Sequence, residues 1–198
     1  ASYNVLIPPL VLSSYSEAVL GTVLSVMSVG VLIGTFVMIF TGGTKRRING
    51  MILSAAFTGI AIGTAVFRPS LTFLTIGLLL GGFISSFIDA HWQSIIQAKV
   101  PFKLQGRVIA TILMIAMLTM PLGFLLWGWL ADNYFAVWLQ AEGLLAGSVG
   151  QIIGVGNGRG TALLLISAGL FLFFWGMAAF LYRPLRDIED RLPDAVPE

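Results

Sequence analysis

The sequence predicts an all-α integral membrane protein, and three observations carry that prediction. The chain is 57% hydrophobic before its 23 glycines are counted and only 10% charged, whereas soluble domains are about 45–50% apolar with glycine included and about 25% charged. Five long stretches contain no Asp, Glu, Lys or Arg, at residues 18–44, 48–67, 69–88, 108–131 and 160–182, and a bilayer core is crossed by about 20 apolar residues in a helix. The basic residues, finally, fall on alternate connections between those stretches. Helix is the form these stretches must take. Backbone groups in hydrocarbon have to pair within their own segment, and the alternating pattern of a barrel strand is missing.

Read as helices, the spans run 18–41, 49–67, 70–92, 107–131 and 160–182, with a tail at 183–198. An opening piece at 1–13 is apolar but too short to cross. It lacks the basic flank and cleavage site of a signal peptide, so it reads as the outer part of a helix that begins upstream. Pro8-Pro9 is expected to interrupt it. Ser14 and Glu17 have capping-box spacing and are expected to satisfy free N–H groups where the next helix starts. Pro121 lies deep inside 107–131, where a membrane helix bends at proline and does not stop.

Lys45, Arg46 and Arg47 follow the stretch at 18–44, Lys99, Lys103 and Arg107 lie between those at 69–88 and 108–131, and Arg183, Arg186 and Arg191 lie in the tail. With alternating helices these share one side, leaving Arg68 and Arg159 on the other. Such an asymmetry places the larger set, and with it the C-terminus, in the cytoplasm. Small residues at four-residue spacing mark packing seams in lipid: Gly30 and Gly34; Ala55, Gly59 and Gly63; Gly77, Gly81 and Ser85.

The connection at 132–159 holds Phe135, Trp138 and Leu139, which suit a stretch lying along the membrane interface. The glycine run at 154–160 fails the dinucleotide fingerprint, because Arg159 stands where its third glycine belongs, and it lacks the Gly-Lys-Ser/Thr of a phosphate loop. No ATP site is expected, nor any other cofactor. The chain has one His and no Cys, so no metal site is expected, and an enzyme is an unfavoured reading. A net charge of +2 without a basic face excludes a nucleic-acid footprint.

Asp89 is the acidic residue inside a span. A carboxylate at membrane depth costs about 2.5–3.5 kcal/mol on insertion scales and so faces a partner or water. Two readings stay open: a structural contact with Arg46, Arg47 or Lys99, or a proton-coupling carboxylate whose pKa burial has raised. Gln93 shares the face of Asp89 at i+4. His91 points elsewhere and reads as an interfacial polar residue, with proton relay as the alternative. Ser2, Tyr3 and Asn4 are polar residues at the start of the opening segment, and polar groups on a membrane helix are costly unless they face the bundle interior or water. Met114, Met117 and Met120 form a stripe beside Pro121, suited to varied apolar ligands or to plain packing.

Several motifs carry a resemblance to a known family. Gly42-Gly43-Thr44-Lys45-Arg46-Arg47 is similar to the second, degenerate copy of the loop motif of the major facilitator superfamily, here without its Asp. Trp92 to Pro101, with Gln105-Gly106-Arg107-Val108, resembles the connection between helices ten and eleven of bacterial drug, macrolide and siderophore exporters. Pro121-Leu122-Gly123 and Gly128-Trp129-Leu130-Ala131-Asp132 resemble helix eleven of that branch. The chain therefore looks like the C-terminal six-helix half of such a transporter, helices seven to twelve, with the first truncated.

That resemblance implies efflux of amphipathic or hydrophobic small molecules by alternating access, coupled to protons, in a bacterial inner membrane. It implies a gate at Gly106 and Arg107, a cavity-lining role for the opening helix with substrate contact at Ser2, Tyr3 and Asn4, and as partners the N-terminal half or a second copy. The alternative is a non-transporting scaffold or assembly subunit built from half of the fold.

Overall fold

A computed structural model describes residues 2–44, 46–140, 143, 145, 147–156, 158–186 and 189. Among them every regular element is helical. The order is α1 (Ser2–Leu12), α2 (Glu17–Thr41), α3 (Arg47–Val66), α4 (Leu71–Lys99), α5 (Phe102–Leu130), a π-helical stretch (Ala131–Phe135), α6 (Ala136–Trp138), α7 (Val149–Ile153), α8 (Arg159–Leu181) and α9 (Arg183–Arg186). Five helices are long and apolar enough to cross a membrane: α2, α3, α4, α8, and α5 taken through to Trp138.

Glycine sets how these helices stack. α4 lies between α2 and α3, and α3 lies between α4 and α8. At Gly30 and Gly34 the backbone of α2 comes so close to α4 that an added Cβ would strike the Leu79 or Phe83 carbonyl, while Gly82 of α4 meets Met27 of α2 in the same way. Gly77 of α4 rests on the Ala65 backbone of α3, and Gly59 of α3 on Gly169 of α8. Lipid provides no hydrophobic drive between helices, so this close backbone approach supplies the dispersion contact that holds the layer. Gly63, by contrast, faces open space, so the row of Ala55, Gly59 and Gly63 is a seam only in part.

The two ends of the bundle differ in charge. Thr44 meets His91 and Lys99 meets Glu189 at one end, which therefore gathers Arg46, Arg47, Lys99, Lys103 and Arg107. At the other, Gly154 lies against Pro69 and Arg159, and Gly158 against Ser13. Neighbouring long helices thus alternate in direction, and among the described cations Arg68 and Arg159 stand apart at the second end.

Four local expectations change. Pro8 and Pro9 sit inside α1 without breaking it, because Leu6, Ile7, Leu10 and Val11 around them are core residues. α2 starts at Glu17 with Ser16 as N-cap and no side-chain cap bond. The Ser14 N–H instead bonds back to the Val11 carbonyl, so Ser14 closes α1 and the capping box does not form. α5 is prolonged past 131 by the π-helical stretch and α6, where Trp129, Tyr134, Phe135 and Trp138 pack edge to face or tilted, and Gly160 of α8 fits against Ala136. Leu139, expected at the interface, is fully buried, with its carbonyl bonded to the Gly156 N–H.

α5 itself has no buried residue. It touches α1 and the π-helical stretch, and α4 only slightly. Its contacts with the core are made by Trp127 and Leu130, near its C-terminal end.

Candidate functional site

The polar residues of interest gather at the basic end, where α4, the loop between α2 and α3, and the start of α3 meet. His91 is the centre of this cluster, and it is 2% exposed. Its Nδ1 lies 2.6 Å from the Phe87 carbonyl, its Nε2 2.8 Å from Thr44 Oγ1, and the Thr44 N–H donates to Nε2 at 3.3 Å. A carbonyl only accepts, so Nδ1 carries a proton and Nε2 of the neutral ring is the acceptor. Thr44 Oγ1 also lies 3.0 Å from the Arg46 carbonyl. The Thr44 hydroxyl thus sits between the imidazole and the loop backbone and ties one to the other.

Two glycines make room for this ring. A Cβ on Gly50 would strike Thr44 Oγ1 and His91 Nε2, and one on Gly43 would strike the Met38 side chain. Gly43 also has φ +73° and Gly42 φ +68°, a left-handed pair that side chains disfavour. The Gly42-Gly43 turn and Gly50 are therefore what lets the loop fold onto α4. Beside them, Asn49 Oδ1 is buried without a hydrogen-bond partner among the described residues.

Asp89 lies on another face of α4. It is exposed and, with Gln93, lines a groove of about 320 Å³ between α2 and α4 whose other walls are Val31, Thr35, Met38, Ile39, Ser86 and Ala90. It makes no hydrogen bond or ion pair with any described residue. Lys99, one of the three cations considered for it, donates to the Glu189 carbonyl at 2.9 Å. The spacing argument for Asp89 and Gln93 thus corresponds to a shared groove, while His91 points into the loop contact.

Met117 and Pro121 line a second, open groove with Met120, Phe124 and Leu125 on α5. Met114 is exposed nearby. Arg107 and Gly106 are exposed on the first turns of α5, and nothing stands within 4 Å of a Cβ built on Gly106. The side chains of Ser2, Tyr3 and Asn4 lie outside the described residues. Among the described residues no group of His, Cys, Asp or Glu could hold a metal ion.

Two contacts escaped the sequence reading: His91 with Thr44, and Glu189 with Ile48 and Lys99. The first had a signal in Gly50, a glycine beside a basic run that no turn requires. The second had none.

The chain resembles a protein of Mycolicibacterium fortuitum, the multidrug efflux pump Tap, with 28% identity over 129 residues, 65% of this chain. The matched region is 32% of that protein's length. No family model matches the chain, and no solved structure matches it. Five membrane-length apolar helices and this likeness together describe a multi-pass helical membrane protein similar to an efflux pump.

Proposed function

We propose that this chain forms the C-terminal half of a secondary active transporter of the major facilitator superfamily. In this reading it exports amphipathic or hydrophobic small molecules in exchange for protons, by alternating access. The observation that carries the proposal is the likeness to a multidrug efflux pump over 129 residues. Two features support it. The exposed face of α5, with its Met117 groove, offers an adaptable apolar surface to a complementary half, either an N-terminal half or a second copy. Asp89 places a carboxylate without a described partner in a groove otherwise free of charge, and an acidic side chain at membrane depth marks an ion or substrate path.

The basic end, with Arg46, Arg47, Arg107 and the C-terminus, faces the cytoplasm of a bacterial inner membrane in this scheme. Arg107 at the start of α5 then stands where the two halves close. Everted vesicles carrying the protein test the reading. An imposed proton gradient should drive accumulation of an amphipathic fluorescent dye, and a protonophore should collapse it. Asp89→Asn should cut proton-driven accumulation at least about tenfold while leaving dye exchange at equilibrium. Absence of accumulation when the chain is present together with its complementary half would overturn the transporter reading, and an unchanged pH profile in Asp89→Asn would remove Asp89 from coupling.

A further inference from the structure

The last described residue of the tail reaches back to the middle of the chain. Glu189 Oε2 accepts a hydrogen bond from the Ile48 N–H at 3.2 Å, across 141 residues of sequence. Its own carbonyl accepts one from Lys99 Nζ at 2.9 Å, across 90 residues. Glu189 is therefore tied to both α3 and α4.

The start of α3 is short of what a helix N-terminus requires. Its first N–H groups have no partner within the helix, and the macrodipole there favours an anion. Arg46 at the N-cap makes no side-chain cap bond, and the first turn contains no acidic residue. Arg47 adds a cation at the end where cations are disfavoured. Lys99 sits in the last turn of α4, where a cation is favoured. Glu189 brings a carboxylate to the one helix end and an acceptor to the cation on the other.

We propose that Glu189 is a positioning residue: it caps α3 from a distance and straps the start of α3 to the end of α4, holding the loop with Thr44 and Arg46 over His91. Gly77 against Ala65 already joins these helices further along. With the strap closed, α3, α4 and their connecting loops move as one body. Its part in transport rests on the reading given under Proposed function, since a half that rocks must keep its own end rigid. The contact itself does not depend on that reading.

Limited trypsin digestion of the full protein in detergent tests the strap. Glu189→Ala should speed cleavage after Arg46 and Arg47 about fivefold, the effect of losing a typical cap, with cleavage after Arg107 unchanged. Glu189→Gln, which keeps an acceptor and loses the charge, should fall between, and Glu189→Asp should stay near the parent. Equal rates in all forms, or a rise at every basic site alike, would overturn the strap as a local device. In vesicles, Glu189→Ala should lower the maximum dye flux with KM unchanged, and Glu189→Asp should restore it. Parental flux in a variant whose loop is loosened would overturn the positioning role. Absence of flux from the parent would count against the transporter reading and leave the digestion result standing.

Discussion

Gly59 of α3 and Gly169 of α8 meet backbone to backbone, and a Cβ on either would run into the carbonyl oxygen of the other. The same helix carries Gly63 one turn on, where a Cβ would meet nothing within 4 Å, because that turn borders an open apolar groove of about 410 Å³ between α3 and α8. Identical residues at helical spacing thus have opposite tolerances.

The first prediction uses this contrast. Gly59→Val should destabilise the protein by about 1–3 kcal/mol, because the helices must separate. Gly63→Ala should be neutral or stabilising by up to about 1 kcal/mol, because alanine is the better helix former. Thermal unfolding in detergent reads both, and equal losses would contradict the placement of the α3–α8 seam.

The ring of His91 and the missing side chain of Gly50 should be coupled. Gly50→Ala alone should cost about 1–3 kcal/mol by overpacking. In a His91→Ala background the same change should cost less, with a coupling energy of about 0.5–3 kcal/mol. Additive losses in the double variant would show that Gly50 is needed for something other than space for the imidazole.

Much of the bundle was legible beforehand, since span length and charge depletion depend only on local sequence. Gly30 and Gly34 also fell where spacing placed a seam. His91 and Glu189 were not legible, because their partners lie 47 and 141 residues away and no local periodicity encodes such a pairing. Leu139 was misread for a related reason. Next to Trp138 and Phe135 it looked like an interface residue, but the Gly156 N–H and the Gly150 turn fold over it. Asp89 stood out by its charge alone, and that signal led to the groove it lines with Gln93.

Leu139 supplies a third prediction. Leu139→Ala should cost about 2–5 kcal/mol, as for a fully buried leucine, whereas Val137→Ala, at an exposed neighbour, should change stability by no more than about 0.5 kcal/mol. Melting temperatures in one detergent would separate the two.

Met114 and Met117, which are 57% and 71% exposed, should behave differently again. Replacing either with Ala should leave stability within about 0.5 kcal/mol, while changing which of a panel of amphipathic dyes accumulate in everted vesicles. A uniform loss across the panel would argue that these side chains support packing against a partner half and not ligand choice.

The alternating arrangement of the helices is the frame for every contact described here, and cysteine accessibility tests it most directly. The sequence contains no cysteine, so each introduced thiol reports without background. In sealed, right-side-out vesicles, a membrane-impermeant reagent should label Arg68→Cys and leave Arg46→Cys and Arg107→Cys untouched until the vesicles are opened. Labelling of Arg46→Cys and Arg107→Cys from opposite sides of the membrane would contradict the account.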